Sequence, residues 1–385
     1  MRARGAGPTR ARLSRRPAPG PTLRLLLLVN SSASSVTPRT RVVIRRALAA
    51  DHQVRYAETT RRGHASRLAQ AAATDGLDAV VVLGGDGTVN EAANGLVGTT
   101  TGLGVLPGGS TNVFARAIGM AADPVEATGE LLASLSEGPM TPIQVGEANG
   151  RYFLFHLGAG FDAAVVAEVE KRAAAKRYLG AALFVASAAA TWAFGVERRD
   201  PWFSLRRLSP TRPGEDRGAG PEADRRAGPE ADRRAAPAQR GGPSLPPPAA
   251  MNGRDAGVDG AEGGLVICLN TGPYTYLGTR PLDLLPGHRV LGGGASNGLG
   301  VVVFERISLP SLLAVTLSAL RGSRQPLLRS SRVRSERAVE AIELVARRPL
   351  PYQVDGDYLG EAERIVVRCV PDALRLVLPP GARMP

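Results

Sequence analysis

Between Leu23 and Ile118, short apolar runs alternate with longer stretches that place apolar residues at helical spacing. Leu23–Val29 is an apolar run that stops at Asn30, and Asp78–Leu83 is a β-branched run of the kind buried on both faces of a sheet. Gln53–Ala57 and Gly104–Leu106 read as two further short strands. Pro38–Ala49, Gly63–Ala73, Thr88–Leu96 and Thr111–Ile118 read as the helices between and after them. Strands and helices in strict alternation predict a parallel sheet covered by helices.

After about residue 140 the pattern changes. Strand-like runs follow one another at Arg151–His156, Trp202–Leu205, Gly264–Leu269, Gly300–Phe304, Val339–Val345 and Ile365–Cys369, several joined by short Pro- and Gly-containing turns. They predict a mainly antiparallel second domain, interrupted by helices around 162–195 and 309–320. Tyr178–Val196 carries no charge over nineteen residues, long enough to span a bilayer, but its Ala-rich composition is weakly apolar and favours a buried helix. Within 209–262 the octapeptide AGPEADRR occurs twice in tandem, flanked by Pro, Gly and Ala. Such a segment buries too little apolar surface to offset its ordering entropy, so a disordered insert is expected there, between the two strands of a hairpin. The expected organisation is a disordered basic extension over 1–21, an α/β domain over 22–140 and the mainly antiparallel domain over 141–380.

Charge sharpens this outline. The net charge of +13 is concentrated: +7 in residues 1–24 and +5 in 321–348, with the insert nearly balanced. A nucleic-acid binder would more often spread basic residues over a folded face, so none is expected as a partner; anionic headgroups or phosphates suit this distribution better. Two cysteines are too few for a disulfide framework and suit a reducing cytoplasm. Leu25–Val29 is too short for the apolar core of a signal peptide. Lys171 and Lys176 are the only lysines, and neither follows a glycine, which excludes a Walker A loop. Protein-kinase motifs and a G-x-G-x-x-G turn at a strand–helix junction are also missing.

Two segments carry chemistry. In VVVLGGDGTVNEAANGL at 80–96 a buried strand runs into Gly84, Gly85, Asp86, Gly87 and Thr88, and a helix follows. Glycines let the backbone approach a ligand closely, and the helix N-terminus directs N–H groups at an anion. Asp86 is placed to hold Mg²⁺ or to order the loop, and Thr88 offers a hydroxyl to a phosphate. The second, GVLPGGSTNVFAR at 104–116, puts Gly108, Gly109, Ser110 and Asn112 at another helix entrance. Both loops fall at strand C-termini, the edge where open α/β sheets bind ligands.

The pair GGDGTVNE and PGGSTNVFAR resembles the catalytic domain of the diacylglycerol kinase family, which includes bacterial soluble lipid kinases and the sphingosine kinases and is distantly similar to NAD kinases and phosphofructokinases. The resemblance continues through FLFHLGAGFDAAVV at 153–166, LNTGPYTYLG at 269–278 and YQVDGDYLG at 352–360. It implies an active site between an α/β nucleotide domain and a β-sandwich, with ATP and Mg²⁺ as cofactors and a lipid as acceptor. Asn30 matches the residue that opens the nucleotide site. Gly84, Gly85, Asp86, Gly87 and Thr88 match its phosphate loop, with Asp86 as the metal contact, and Gly109, Ser110 and Asn112 match the partner loop. Thr60 and His64 match a segment near the nucleotide. Asp357 matches the acidic residue, often Glu, that activates the lipid hydroxyl. Val113 stands where the family often has Asp. Asn297-Gly298-Leu299 stands where it often has Asp-Gly-Leu near a structural Mg²⁺.

The implied activity is transfer of the γ-phosphate of ATP to a hydroxyl of diacylglycerol or a similar lipid. Alternatives are another acceptor (a long-chain base, another lipid or NAD) and a non-catalytic nucleotide-binding regulator. Contact with an anionic membrane surface, at the inner face of the plasma membrane, and a homodimer complete the expected partners.

Overall fold

The computed structural model describes residues 21–138, 140–171, 202–208, 257–277, 280–288, 298–306 and 333–379. The basic extension, the Ala-rich 178–196 segment, most of the repeat-bearing insert, Asn297 and the 309–332 stretch lie outside the described residues.

The N-terminal half is built as the apolar pattern requires. Strands β1 (Arg24–Val29), β2 (Gln53–Glu58), β3 (Ala79–Gly84) and β4 (Gly102–Pro107) are all parallel, in the order β2-β1-β3-β4. Every residue of β3 and β4 is buried. Helices α1 (Pro38–Asp51) and α5 (Pro124–Glu137) pack on each other, as do α2 (His64–Thr74) and α3 (Asp86–Leu96). The α2–α3 contact is close because Gly95 lets the α3 backbone approach Ser66 and Gln70; a Cβ there would sit 3.0 Å from the Gln70 amide nitrogen. Thr37 and Asp123 cap α1 and α5 with their side-chain oxygens, each followed by a proline at the first helical position. A five-residue helix, α4 (Val113–Ala117), follows the second glycine loop. The strand order reverses direction between β1 and β3, so the loops leaving these two strands diverge and open a crevice at the sheet's C-terminal edge.

The C-terminal part is antiparallel. It comprises β5 (Thr141–Ala148), β6 (Arg151–Phe153), β7 (His156–Gly160), helix α6 (Phe161–Lys171), β8 (Phe203–Arg207), β9 (Glu262–Gly263), β10 (Leu265–Leu269), the ribbon β11 (Thr275–Leu277) and β12 (Arg280–Leu282), β13 (Leu299–Phe304), β14 (Val333–Val339), β15 (Ala341–Val354) and β16 (Asp357–Leu376). Alternate residues of β7, β10 and β13 share one core with alternate residues of β8, β15 and β16, as the inner faces of a sandwich do.

Two features differ from the sequence-based outline. Residues 257–262, expected in the disordered insert, are folded: Val258 and Ala261 are fully buried, and the Val258 amide donates to Glu336. The strand that pairs with β8 across the insert is β9, whereas β10, expected in that hairpin, lies between β7 and β13. The halves are also joined by hydrogen bonding: β16 runs antiparallel to β15 and β5, and its last residues pair in parallel with β4.

Candidate active site

The first glycine loop leaves β3 and turns into α3. Gly85 occupies the N-cap, no side chain caps that end, and Asp86 is the first helical residue. Uncapped N–H groups at the start of an eleven-residue helix are an anion site in waiting. Asn30, at the end of β1, reaches across the crevice: its Nδ2 donates to Thr88 Oγ1 at 2.9 Å, and its backbone N–H bonds Leu83 O at 3.0 Å.

The second loop packs on the first, backbone against backbone. The Gly108 N–H bonds Gly84 O at 2.9 Å, and a Cβ on Gly109 would lie 2.8 Å from the Gly85 Cα. Asn112 adopts φ 48°, in the left-handed region that Asn tolerates. From there its side chain accepts from the Gly109 N–H at 2.8 Å and donates to Gly109 O at 2.7 Å, closing the loop on itself. Ser110 is exposed at its tip.

Asp86 ties the loops together. Its Oδ2 accepts from the Val113 N–H and its Oδ1 from the Phe114 N–H, both at 3.0 Å, so it caps α4. Burial pushes its carboxyl above the usual range, and these amides pull it back. Of the two roles left open for Asp86, loop ordering is the one observed. Each oxygen keeps a further lone pair. Among the described residues no three His, Cys, Asp or Glu side chains converge as a metal cluster. Asp86 is the carboxylate of this loop that could reach a divalent metal carried on nucleotide phosphates, an ion that typically takes only one or two protein carboxylates.

Thr60 and His64 bond each other: the Thr60 N–H meets His64 Nδ1 at 3.2 Å. Together they close the turn that precedes α2. Glu91, four residues beyond the glycine loop, accepts from the Gly63 and Ala65 amides and so caps α2. The turn carries Arg62, whose guanidinium lies 3.1 Å from Asp357. Arg151 approaches the same carboxylate at 4.0 Å. Neither arginine stands out in the sequence, because each lies far along the chain from Asp357.

Asp357 is half-buried at the start of β16, just past a turn in which Asp355 has φ 50° and Gly356 φ 84°. Asp355 is the buried anchor of that turn. It accepts from the amides of Leu154 (2.7 Å), Phe155 (3.0 Å) and His156 (2.9 Å), and from Asn90 Nδ2 at 2.7 Å. Burial drives its carboxyl up to about 7 against the pull of these four donors. Asn90 and Asn94, both on α3, also donate to Tyr152 O. The Asp355-Gly356-Asp357 turn is thus docked on the helix that begins at the glycine loop. A second bridge lies beside α4, where the Arg116 guanidinium stacks 3.6 Å from the centre of the Tyr276 ring on β11.

Comparison with known proteins agrees with this geometry. Residues 24–148 match the model of the diacylglycerol kinase catalytic domain. The chain is 40% identical over 104 residues to a diacylglycerol kinase of Bacillus subtilis, covering 26% of this chain and 33% of that protein. It is 34% identical over 157 residues to a YegS-like candidate lipid kinase of Chromohalobacter salexigens, covering 40% and 49%. The matches thus span about a third to a half of the length of these curated relatives. A crystal structure from Bacillus anthracis, described as that of a candidate diacylglycerol kinase, superposes with a TM-score of 0.63 at 19% identity, covering 94% of this chain and 96% of that one. At that identity the likeness establishes the fold.

Proposed function

We propose, from a nucleotide half that belongs to the diacylglycerol kinase catalytic-domain family, that the chain is an ATP-dependent lipid kinase acting on a hydroxyl of diacylglycerol or a similar lipid. The observation that carries the reading is the docking of the Asp355-Gly356-Asp357 turn onto α3, with Arg62 of the nucleotide half 3.1 Å from Asp357. An acidic side chain from one half and a phosphate loop from the other then share a site.

Phosphoryl transfer is largely a matter of positioning and charge stabilisation. The open N-terminus of α3 and the Gly109–Asn112 loop would hold the phosphates, with Asn30 and Thr88 lining the crevice. A divalent metal carried on the nucleotide would neutralise phosphate charge. Asp357 would orient the acceptor hydroxyl in line and take its proton late in the transfer. Arg62 and Arg151 would stabilise the charge on the phosphoryl group in transfer.

The test is incubation with γ-labelled ATP and a panel of diacylglycerol, other lipids, a long-chain base and NAD. Label in a lipid is expected, together with a kcat that falls ~10²–10⁴-fold in Asp357→Asn while ATP affinity is kept. Label in NAD alone, or an unimpaired Asp357→Asn variant, would overturn the reading.

A further inference from the structure

A chain of buried polar side chains runs from the core of the C-terminal half to the turn that carries Asp357. Its first member is Asp162, on α6 and 7% exposed. Tyr274 donates its hydroxyl to Asp162 Oδ1 at 2.5 Å, and Gln353 donates Nε2 to Asp162 Oδ2 at 2.7 Å. The other end of the Gln353 amide, Oε1, accepts from the Gly356 N–H at 2.8 Å. Gly356 is the residue between Asp355 and Asp357.

The direction of these bonds is set by chemistry. A backbone N–H only donates, so Gln353 must turn its oxygen to Gly356 and its NH₂ to Asp162. Asp162 must then present an acceptor oxygen to Gln353, and its other oxygen takes the Tyr274 hydroxyl. The space is reserved as well: a side chain on Gly158 would overlap the Asp162 carboxylate and crowd the Gln353 amide at 2.7 Å. Gln353 is 1% exposed, so water does not substitute for either partner.

We propose that Asp162 is a positioning residue for the phosphoryl-transfer reaction, orienting Gln353 so that its oxygen holds the Gly356 N–H and sets the placement of the Asp357 carboxylate. The inference rests on the lipid-kinase reading of Asp357. It explains how a turn with two residues at positive φ keeps its C-terminal side fixed, while Asp355 anchors the N-terminal side. A misplacement of about 1 Å at a reacting group costs on the order of 10²-fold in rate, so a remote carboxylate can matter this much.

The test removes the acceptor. Asp162→Leu keeps much of the bulk and leaves the Gln353 NH₂ without a partner, so nothing fixes the Gln353 amide with its oxygen on the Gly356 N–H. Asp162→Asn is the control: its amide can turn its oxygen to Gln353 and its NH₂ to the Tyr274 hydroxyl, which accepts, so the Gln353–Gly356 bond is kept. Asp162→Leu is expected to lower kcat ~10–100-fold with the KM for ATP unchanged, and Asp162→Asn to keep most of it. Tyr274→Phe, which removes one donor and leaves Gln353 engaged, should lose only a few-fold.

Amide hydrogen exchange at Gly356 provides a readout that needs no substrate: faster in Asp162→Leu, slow in Asp162→Asn. Wild-type exchange at Gly356 in Asp162→Leu, or an Asp162→Leu kcat per folded molecule equal to the wild type, would overturn the positioning role. A wild type that labels no lipid would overturn the kinase reading instead, with the exchange pattern still deciding whether Asp162 controls the turn. If Asp162→Leu does not fold, Asp162→Ala, which also removes the acceptor, carries the same comparison.

Discussion

The buried ionisable residues show how much work the backbone amides do here. Asp86 and Asp355 lie far apart in sequence, yet each spends its carboxylate on main-chain N–H groups of another segment. Asp86→Ala would strand the Val113 and Phe114 amides, at a cost of about 1–3 kcal/mol per unsatisfied buried group, and would free the second loop. A lowered Tm together with weakened ATP binding is expected, and calorimetry measures both. Unaltered ATP affinity would separate Asp86 from the phosphate site.

His156 makes a different demand. Its ring packs between Phe155 and Tyr274, its Nδ1 has no partner among the described residues, and burial lowers its pKa to about 3. In the unfolded chain it binds a proton near pH 6.5; in the folded chain it does not until about 3. The unfolded state therefore holds more protons in that window, and stability falls as the pH drops through it, by up to about 1.4 kcal/mol per pH unit. His156→Phe should flatten the slope of denaturant midpoint against pH between about 6 and 4 relative to the wild type. An unchanged slope would mean that the folded protein already accommodates the charged ring.

At the scale of elements, the two loops are decided by where a Cβ fits. A Cβ on Gly109 would lie 2.8 Å from the Gly85 Cα, so Gly109→Ala must push two backbones apart and cost ~1–3 kcal/mol in overpacking. Gly87 is the informative contrast. It is exposed, lies in the first turn of α3, and a Cβ there meets nothing within 4 Å. Gly87→Ala should therefore leave stability equal or up to about 1 kcal/mol higher, as Ala replaces Gly in a helix. If phosphates sit over the α3 N-terminus, the same methyl group blocks them, and ATP affinity should drop while Tm does not. A variant that binds ATP normally would move the phosphates elsewhere. Elements also show what local pattern misses. β15 and β16 are 14 and 20 residues long, whereas the run expected at Val339–Val345 spans the break between β14 and β15, and Ile365–Cys369 marks only the most apolar stretch of β16. The rest is Arg-, Glu- and Pro-containing chain held in strand form by its ladder partners, with a register shift between Val345 and Leu350.

For the molecule as a whole, the question is what holds its halves in register. The β4–β16 pairing joins the two backbones, and Asn90 supplies a buried contact to the turn that carries Asp357. Asn90 Nδ2 serves Asp355 and Tyr152 O, while its Oδ1 accepts from Arg151 at 2.8 Å. Asn90→Ala should cost about 1–3 kcal/mol and lower lipid-dependent turnover more than ATP affinity, because it loosens the turn and spares the glycine loops. Steady-state kinetics beside direct ATP titration tests this; an equal loss in both would place Asn90 in nucleotide binding. Among the described residues no helix is long and apolar enough to cross a membrane.

Much of the N-terminal half could be read directly from the chain. Apolar runs and glycines are local signals: a strand buried on both faces must be continuously apolar, and a tight strand–helix turn must use glycine, whatever surrounds them. The loops at 84–88 and 109–112 were legible for that reason, whereas Asp357 was singled out only by the resemblance of its segment to a family. Arg62, Arg151, Glu91, Asp355 and the Asp162–Gln353 pair were not. Each takes its role from a partner that the fold brings near, such as Asn90 and Asp355 across 265 positions of sequence. A carboxylate is written identically whether it faces water or four amide donors. Only the tertiary structure decides which, because burial and partner geometry set its hydrogen bonds and its charge.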